Sequence, residues 1–94
     1  EKNILLSLGY SLNQNYPNPF NPVTKIEYSI VKASNVIIKI YDILGNEVKT
    51  LVNGFHQPGF YNIIFDASDL SSGVYLYRLE SENFADTKKI ILLK

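Results

Sequence analysis

Val23-Thr24-Lys25-Ile26-Glu27-Tyr28-Ser29-Ile30 puts Ile26, Tyr28 and Ile30 on one face of an extended chain and Lys25, Glu27 and Ser29 on the other. That alternation has the period of two of a half-buried β-strand, not the 3.6 of a helix. It recurs downstream. Val36, Ile38 and Ile40 share a face within 35–41, and 47–52 resumes after the turn Asp42-Ile43-Leu44-Gly45-Asn46. Tyr61, Ile63 and Phe65 alternate within 60–66, and Tyr75, Tyr77 and Leu79 within 74–81. The last run, 87–93, ends in Ile90-Ile91-Leu92-Leu93. Asn53-Gly54, Pro58-Gly59 and the stretch from Ser68 to Gly73 punctuate these runs with turn formers. Strands at intervals of about 8–13 residues with no helical period predict an all-β fold, an immunoglobulin-like antiparallel β-sandwich of about seven strands. The spacing Leu70-x-x-Gly73-x-Tyr75 fits a tyrosine corner, in which the Tyr hydroxyl bonds back to the preceding loop. The expected core is Ile26, Tyr28, Val36, Ile38, Ile40, Ile63, Phe65, Tyr75, Tyr77, Leu79 and Ile90.

Upstream the chain divides into an apolar segment, 1–12, and a proline-rich segment, 13–22, before the sandwich, 23–94. Pro17, Pro19 and Pro22 each fix φ and delete a backbone donor, so 13–22 reads as a stiff extended connector with Tyr16 and Phe20 free to anchor on a core. Segment 1–12 carries Ile4, Leu5, Leu6 and Leu8, a dense apolar run for a terminus. It reads as the first strand of its own sandwich, as a retained fragment of linker, or as a donor strand that adds to an open sheet edge of another copy. Because such a contact is head-to-tail, its repetition would build a filament, with the proline segment as spacer.

At 94 residues with 46% apolar and 19% charged, the chain is one globular domain able to bury a core without staples. Nine basic residues balance nine acidic ones. A net charge of zero argues against a nucleic-acid partner, which needs a basic face, and favours association with neighbours. There is no Cys, hence no disulfide, thiol chemistry or Cys-based zinc site. There is no Met either, so Glu1 is expected to be a processed start or the beginning of a piece. No apolar run approaches the ~18 residues of a membrane span, so a membrane-spanning role is not expected.

Candidate chemistry is sparse. Asp66 and Asp69 could be imagined around calcium, but they lack a dense Asp-x-Asp spacing and read as turn residues. Ser71, Ser72 and the lone His56 lack a nucleophile elbow, so catalysis is not expected. No cofactor motif is present. Tyr28, Tyr61, Tyr75 and Tyr77 fall at alternating strand positions, which suits a core better than a sugar platform.

Several motifs resemble one family. Asn15-Tyr16-Pro17-Asn18-Pro19-Phe20-Asn21-Pro22, with Thr24-x-Ile26-x-Tyr28 after it, is similar to the opening of type A C-terminal sorting domains of the type IX secretion system. So are Ile40-Tyr41-Asp42-Ile43-Leu44-Gly45-Asn46-Glu47-Val48, Pro58-Gly59-Phe60-Tyr61, Leu70-Ser71-Ser72-Gly73-Val74-Tyr75 and Thr87-Lys88-Lys89-Ile90. The likeness is collinear from Asn13 to Lys94. The immunoglobulin-like domain of the flagellar hook-capping protein is a more distant relation.

The resemblance implies a non-catalytic module that directs a secreted bacterial protein through the outer membrane and attaches it to the cell surface. The implied partner is the outer-membrane secretion machinery, and the implied location is extracellular or the cell surface. It places the export region at Lys88, Lys89, Ile90, Leu92 and Lys94. Asn18, Pro19, Asn21, Pro22, Tyr41, Asp42, Gly45, Gly59, Gly73 and Tyr75 are expected to hold turns and motifs. The family often has Leu-Pro where this chain has Ile30-Val31, so the loop before Asn35 is expected to differ. Its domains usually follow a large passenger and a polar linker, whereas here Ile4–Leu8 precedes the motifs; a self-assembling filament subunit is therefore the alternative. An accessory carbohydrate-binding module stands behind both.

Overall fold

The structure is a computed structural model and describes residues 9–94. The donor-strand candidates Ile4, Leu5, Leu6 and Leu8 lie outside the described residues. Among the described residues seven strands run in chain order: β1 (Ser11–Leu12), β2 (Val23–Ile30), β3 (Ser34–Asp42), β4 (Glu47–His56), β5 (Gly59–Asp66), β6 (Gly73–Glu80) and β7 (Ala85–Leu92). They form two antiparallel sheets, β1-β2-β5 and β4-β3-β6-β7. This is the predicted sandwich, with hairpins at β3–β4 and β6–β7; the β2–β3, β4–β5 and β5–β6 connections cross between the sheets, and β1 and β2 pair within one sheet.

The alternation selects the inner faces. Ile26 and Ile30 of β2 and Phe65 of β5 meet Val36, Ile38, Ile40, Tyr77, Leu79, Ile90 and Leu92 of the opposite sheet, all fully buried. Ile63 is only half-buried and packs at the margin of this cluster, because β5 is the outer strand of a three-stranded sheet. Leu12, Phe20, Ile30, Ala67 and Leu92 complete the core beyond the expected set.

β4 runs four residues past Val52, through Asn53 and Gly54, instead of turning there. Gly54 pairs with Val36 and Asn53 with Ile37, so the ladder with β3 carries the strand on to His56. His56 is then held from the other sheet. Its Nδ1 donates to the Gly54 carbonyl at 3.1 Å, which leaves Nε2 to accept from the Tyr28 hydroxyl at 2.9 Å. The actual turn is Gln57-Pro58.

Two corners stitch the sheets. Tyr75 Oη donates to the Ser71 carbonyl at 2.7 Å, forming the predicted tyrosine corner. Tyr61 Oη donates to the Gln57 carbonyl at 2.6 Å, again four residues back. The second corner repeats the Gly-x-Tyr signal at Gly59–Tyr61, and a Cβ on Gly59 would sit 3.4 Å from the Tyr61 ring. The ring thus packs over Gly59 at ordinary contact distance, and Gly59 has no positive φ.

Burial pushes the phenols of Tyr28 and Tyr77 up to about 12, with the nearby Tyr61 adding to the effect at Tyr28. A folded pKa above the ordinary value means that the stability these groups supply is intact below pH ~10. It is lost as the pH rises through about 12. The urea midpoint is therefore expected to fall steeply between pH ~10 and ~12, and Tyr77→Phe should flatten that fall; an equal slope in the variant would refute it.

Candidate functional site: the last strand and the segment that seals it

The proline segment lies against the sandwich throughout. Asn13 N donates to the Glu27 carbonyl at 2.9 Å, and Tyr16 and Lys25 exchange backbone bonds at 2.9 and 3.0 Å, which carries the β1 pairing along β2. The chain then crosses to the other sheet. Phe20 N donates to the Ile91 carbonyl and Leu93 N to the Phe20 carbonyl, both at 3.0 Å, a parallel bridge along the outer edge of β7. Two side chains extend that bridge: Asn18 Oδ1 accepts from Ile91 N at 3.0 Å, and Gln14 Nε2 donates to the Lys89 carbonyl at 2.8 Å. Successive outward-facing backbone groups of β7, from Lys89 to Leu93, are thereby satisfied. A sheet edge left bare would invite another strand; this one is closed by Gln14, Asn18 and Phe20.

Two residues fix the segment in place. Phe20 is 2% exposed and its ring lies 5.7 Å from that of Phe65, plugging the end of the sandwich. Tyr16, the other expected anchor, is 79% exposed. Asn15 takes the anchoring role instead. Buried to 2% exposure, its Nδ2 donates to the Pro17 carbonyl and to Thr24 Oγ1, both at 3.0 Å, while its Oδ1 accepts from Gln14 Nε2 at 2.7 Å. Prolines supply no N–H, so a side-chain amide must do what backbone donors do elsewhere.

The export residues named from the resemblance separate by face. Ile90 and Leu92 are fully buried and belong to the core. Lys88 lies on their face and reaches Asp86 at 3.8 Å. Lys89 lies on the opposite, outward face and is exposed. Lys94 turns to the β5–β6 corner, where its Nζ donates to the Ser68 carbonyl at 2.6 Å and its N to Ser72 Oγ at 2.9 Å. The three lysines therefore do not form one cluster.

A different group does come together around Lys89. Register pairs Tyr41 with Leu76, Leu76 with Lys89, and Val74 with Ile91. With Ile40, Tyr75, Tyr77, Ile90 and Leu92 inward, these side chains face outward, and Leu93 follows them. Val74 is 39% and Leu93 56% exposed, and the adjoining turn holds Ile43 and Leu44 even more openly. That turn is stiff. Asp42 Oδ1 accepts from Asn46 N and Leu44 N, both at 2.9 Å, and Gly45 sits at φ 90°, a left-handed position that suits glycine. Bonds from Asn46 first, then Leu44 and Gly45, hold the Asp42 carboxyl below the usual range. The motif that reads as a turn signal thus also presents two exposed apolar side chains beside the last strand. Sequence pattern alone marked the turn and missed the display.

The remaining candidates resolve into structure. Asp66 Oδ1 accepts from Ser68 N at 3.0 Å and from Ser68 Oγ, and these bonds hold its carboxyl low. Asp69 pairs with Lys49 at 3.5 Å, and no group of three metal-ligating side chains occurs among the described residues. His56 and Ser71–Ser72 lie at opposite ends of β5. Tyr28, Tyr75 and Tyr77 are buried and Tyr61 half-buried, so they offer no flat platform. A shallow depression of about 270 Å³ on the outer face of the first sheet is lined by Asn13, Glu27, Phe60 and Asn62 among others. No helix among the described residues is long and apolar enough to cross a membrane.

A family model described as a secretion system C-terminal sorting domain matches residues 14–93. The match begins at Gln14, the first residue whose side chain caps β7, and so takes in the whole sealing segment. No curated protein matches the chain, and no solved structure does.

Proposed function

Because the chain belongs to the family of type IX secretion C-terminal sorting domains, we propose that it serves as the export and cell-surface attachment signal of a secreted bacterial protein, read by the outer-membrane secretion machinery. The observation that carries this reading is the state of β7. Its edge is closed by the proline segment while its outward face, Lys89, Ile91 and Leu93, stands open beside Val74, Leu76 and the Ile43-Leu44 turn. Recognition of the last strand then runs through this face and not through strand addition. Ile90 and Leu92 act by holding the face in position, and Lys89 is the lysine best placed to touch a partner. The product of export sits outside the cell or on its surface.

Deleting 90–94 would remove two core side chains and so confound folding with recognition. Ile91→Glu with Leu93→Glu keeps the core and changes only the outward face. Fused to a reporter in a bacterium with this secretion route, the double variant is expected to leave the reporter in the periplasm at an unchanged melting temperature. Normal surface display of the folded variant would overturn the reading.

A further inference from the structure

The four sheet edges are not equally protected. β7 is sealed over Lys89–Leu93 by Gln14, Asn18 and Phe20. β1 is two residues long. The β3–β4 ladder is broken by register shifts between Ile38 and Lys39 and between Ile40 and Tyr41, and such bulges twist an edge away from partners. β5 has none of these devices. It pairs with β2 without a shift from Val23↔Asp66 to Ile30↔Gly59. Ala67 N donates to the Pro22 carbonyl at 2.8 Å, continuing the ladder in which 59, 61, 63 and 65 face β2. By the alternation of antiparallel pairing, the N–H and C=O groups of Phe60, Asn62 and Ile64 point away from the sheet. No partner takes them among the described residues.

The side chains on this edge are apolar and self-complementary. Phe60 is 64% and Ile64 57% exposed on the outward face, with Asn62 between them, and 59–65 contains no charged residue. Lys49 Nζ donates to the Asp66 carbonyl at 3.2 Å, which closes the strand at one end, and Pro58 ends it at the other. We infer that β5 is a self-association edge that pairs antiparallel with β5 of a second copy of this chain about a two-fold axis at Asn62. In that register Phe60 lies opposite Ile64 of the second copy, and Asn62 lies opposite its own equivalent. Ile64 lies opposite Phe60, and these residues carry the backbone groups that face outward. Apolar cross-strand pairs flank an amide pair on the axis. Asp66 falls opposite Pro58, so no like charges meet. The contact is isologous and closes on itself, giving a dimer and not a filament. It joins the two three-stranded sheets into one of six and leaves the outward face of β7 free. The inference is independent of the export reading.

Sedimentation of the full chain over a concentration series tests it. The full chain is expected to reach twice 10.7 kDa. Asn62→Lys and Asn62→Asp each place like charges on the axis and are expected to weaken the dimer at least roughly tenfold. An equimolar mixture of the two is expected to restore it, because lysine then meets aspartate, and a misfolded variant could not be rescued this way. A full chain that stays monomeric at every concentration would overturn the inference. So would a dimer that survives Asn62→Lys, including one that disappears only when residues 1–8 are removed.

Discussion

Phe20→Ala is expected to destabilise the domain by about 3–5 kcal/mol, the range for truncating a buried aromatic to alanine. Phe20 is 2% exposed and packs in the main core beside Phe65. A domain of this kind is stable by ~5–15 kcal/mol, so the loss is a large fraction of the total. The effect should exceed that of the lost volume alone. Without the ring the Phe20 backbone is held against Ile91 and Leu93 only by its own hydrogen bonds and those of Gln14 and Asn18, and the edge of β7 opens more readily. Urea unfolding gives the stability change, and faster amide exchange at Ile91 and Leu93 reports the opening edge. Tyr16→Ala, at an exposed position four residues away, is the control and should stay within ~0.5 kcal/mol. A loss below ~1 kcal/mol for Phe20→Ala would mean that the proline segment contributes little to the fold.

Asn15→Asp is expected to cost about 3–5 kcal/mol at neutral pH, the cost of leaving a buried charge uncompensated. The amide Nδ2 supplies hydrogens to the Pro17 carbonyl and to Thr24 Oγ1. A carboxylate would aim lone pairs at those oxygens, with only the Gln14 amide still donating to it. Burial raises the carboxyl pKa in the folded state, so the deficit should shrink as the pH falls and the group takes up a proton. The sign is opposite to ordinary acid denaturation. Urea midpoints of the variant and the parent chain should therefore converge toward low pH. A deficit that stayed constant with pH would show that the Asn15 amide is not the buried donor described above.

Both predictions fall on the segment that sequence pattern described least well. Ten residues with three prolines have no period to read, and proline restricts the chain without saying where it goes. Phe20 was legible as a possible anchor because an aromatic between prolines has few other uses. Its equal in pattern, Tyr16, points to solvent, and no local rule separates the two. Asn15 became visible as a buried donor only once Pro17 and Thr24 stood beside it. The β4 extension was obscured for a related reason. Asn53-Gly54 is a good turn signal, but pairing with β3 and the grip of Tyr28 on His56 outweigh a local preference.

The sequence by itself determined the class of fold, six of the strands, about two thirds of the core and the tyrosine corner at Tyr75. Each of these depends on a period of two or on turn chemistry a few residues long, and such signals are written locally. The sorting-domain motifs were legible for the same reason, as short strings in a fixed order. Tertiary structure alone decided which edge is sealed and which is open, and which face of the last strand is displayed. Those properties depend on contacts between Gln14 and Lys89, Asn18 and Ile91, and Phe20 and Leu93. More than seventy positions separate the members of each pair. Side-chain alternation says which residues face inward, but it carries no information on which strand lies next to which, because any alternating strand can pair with any other.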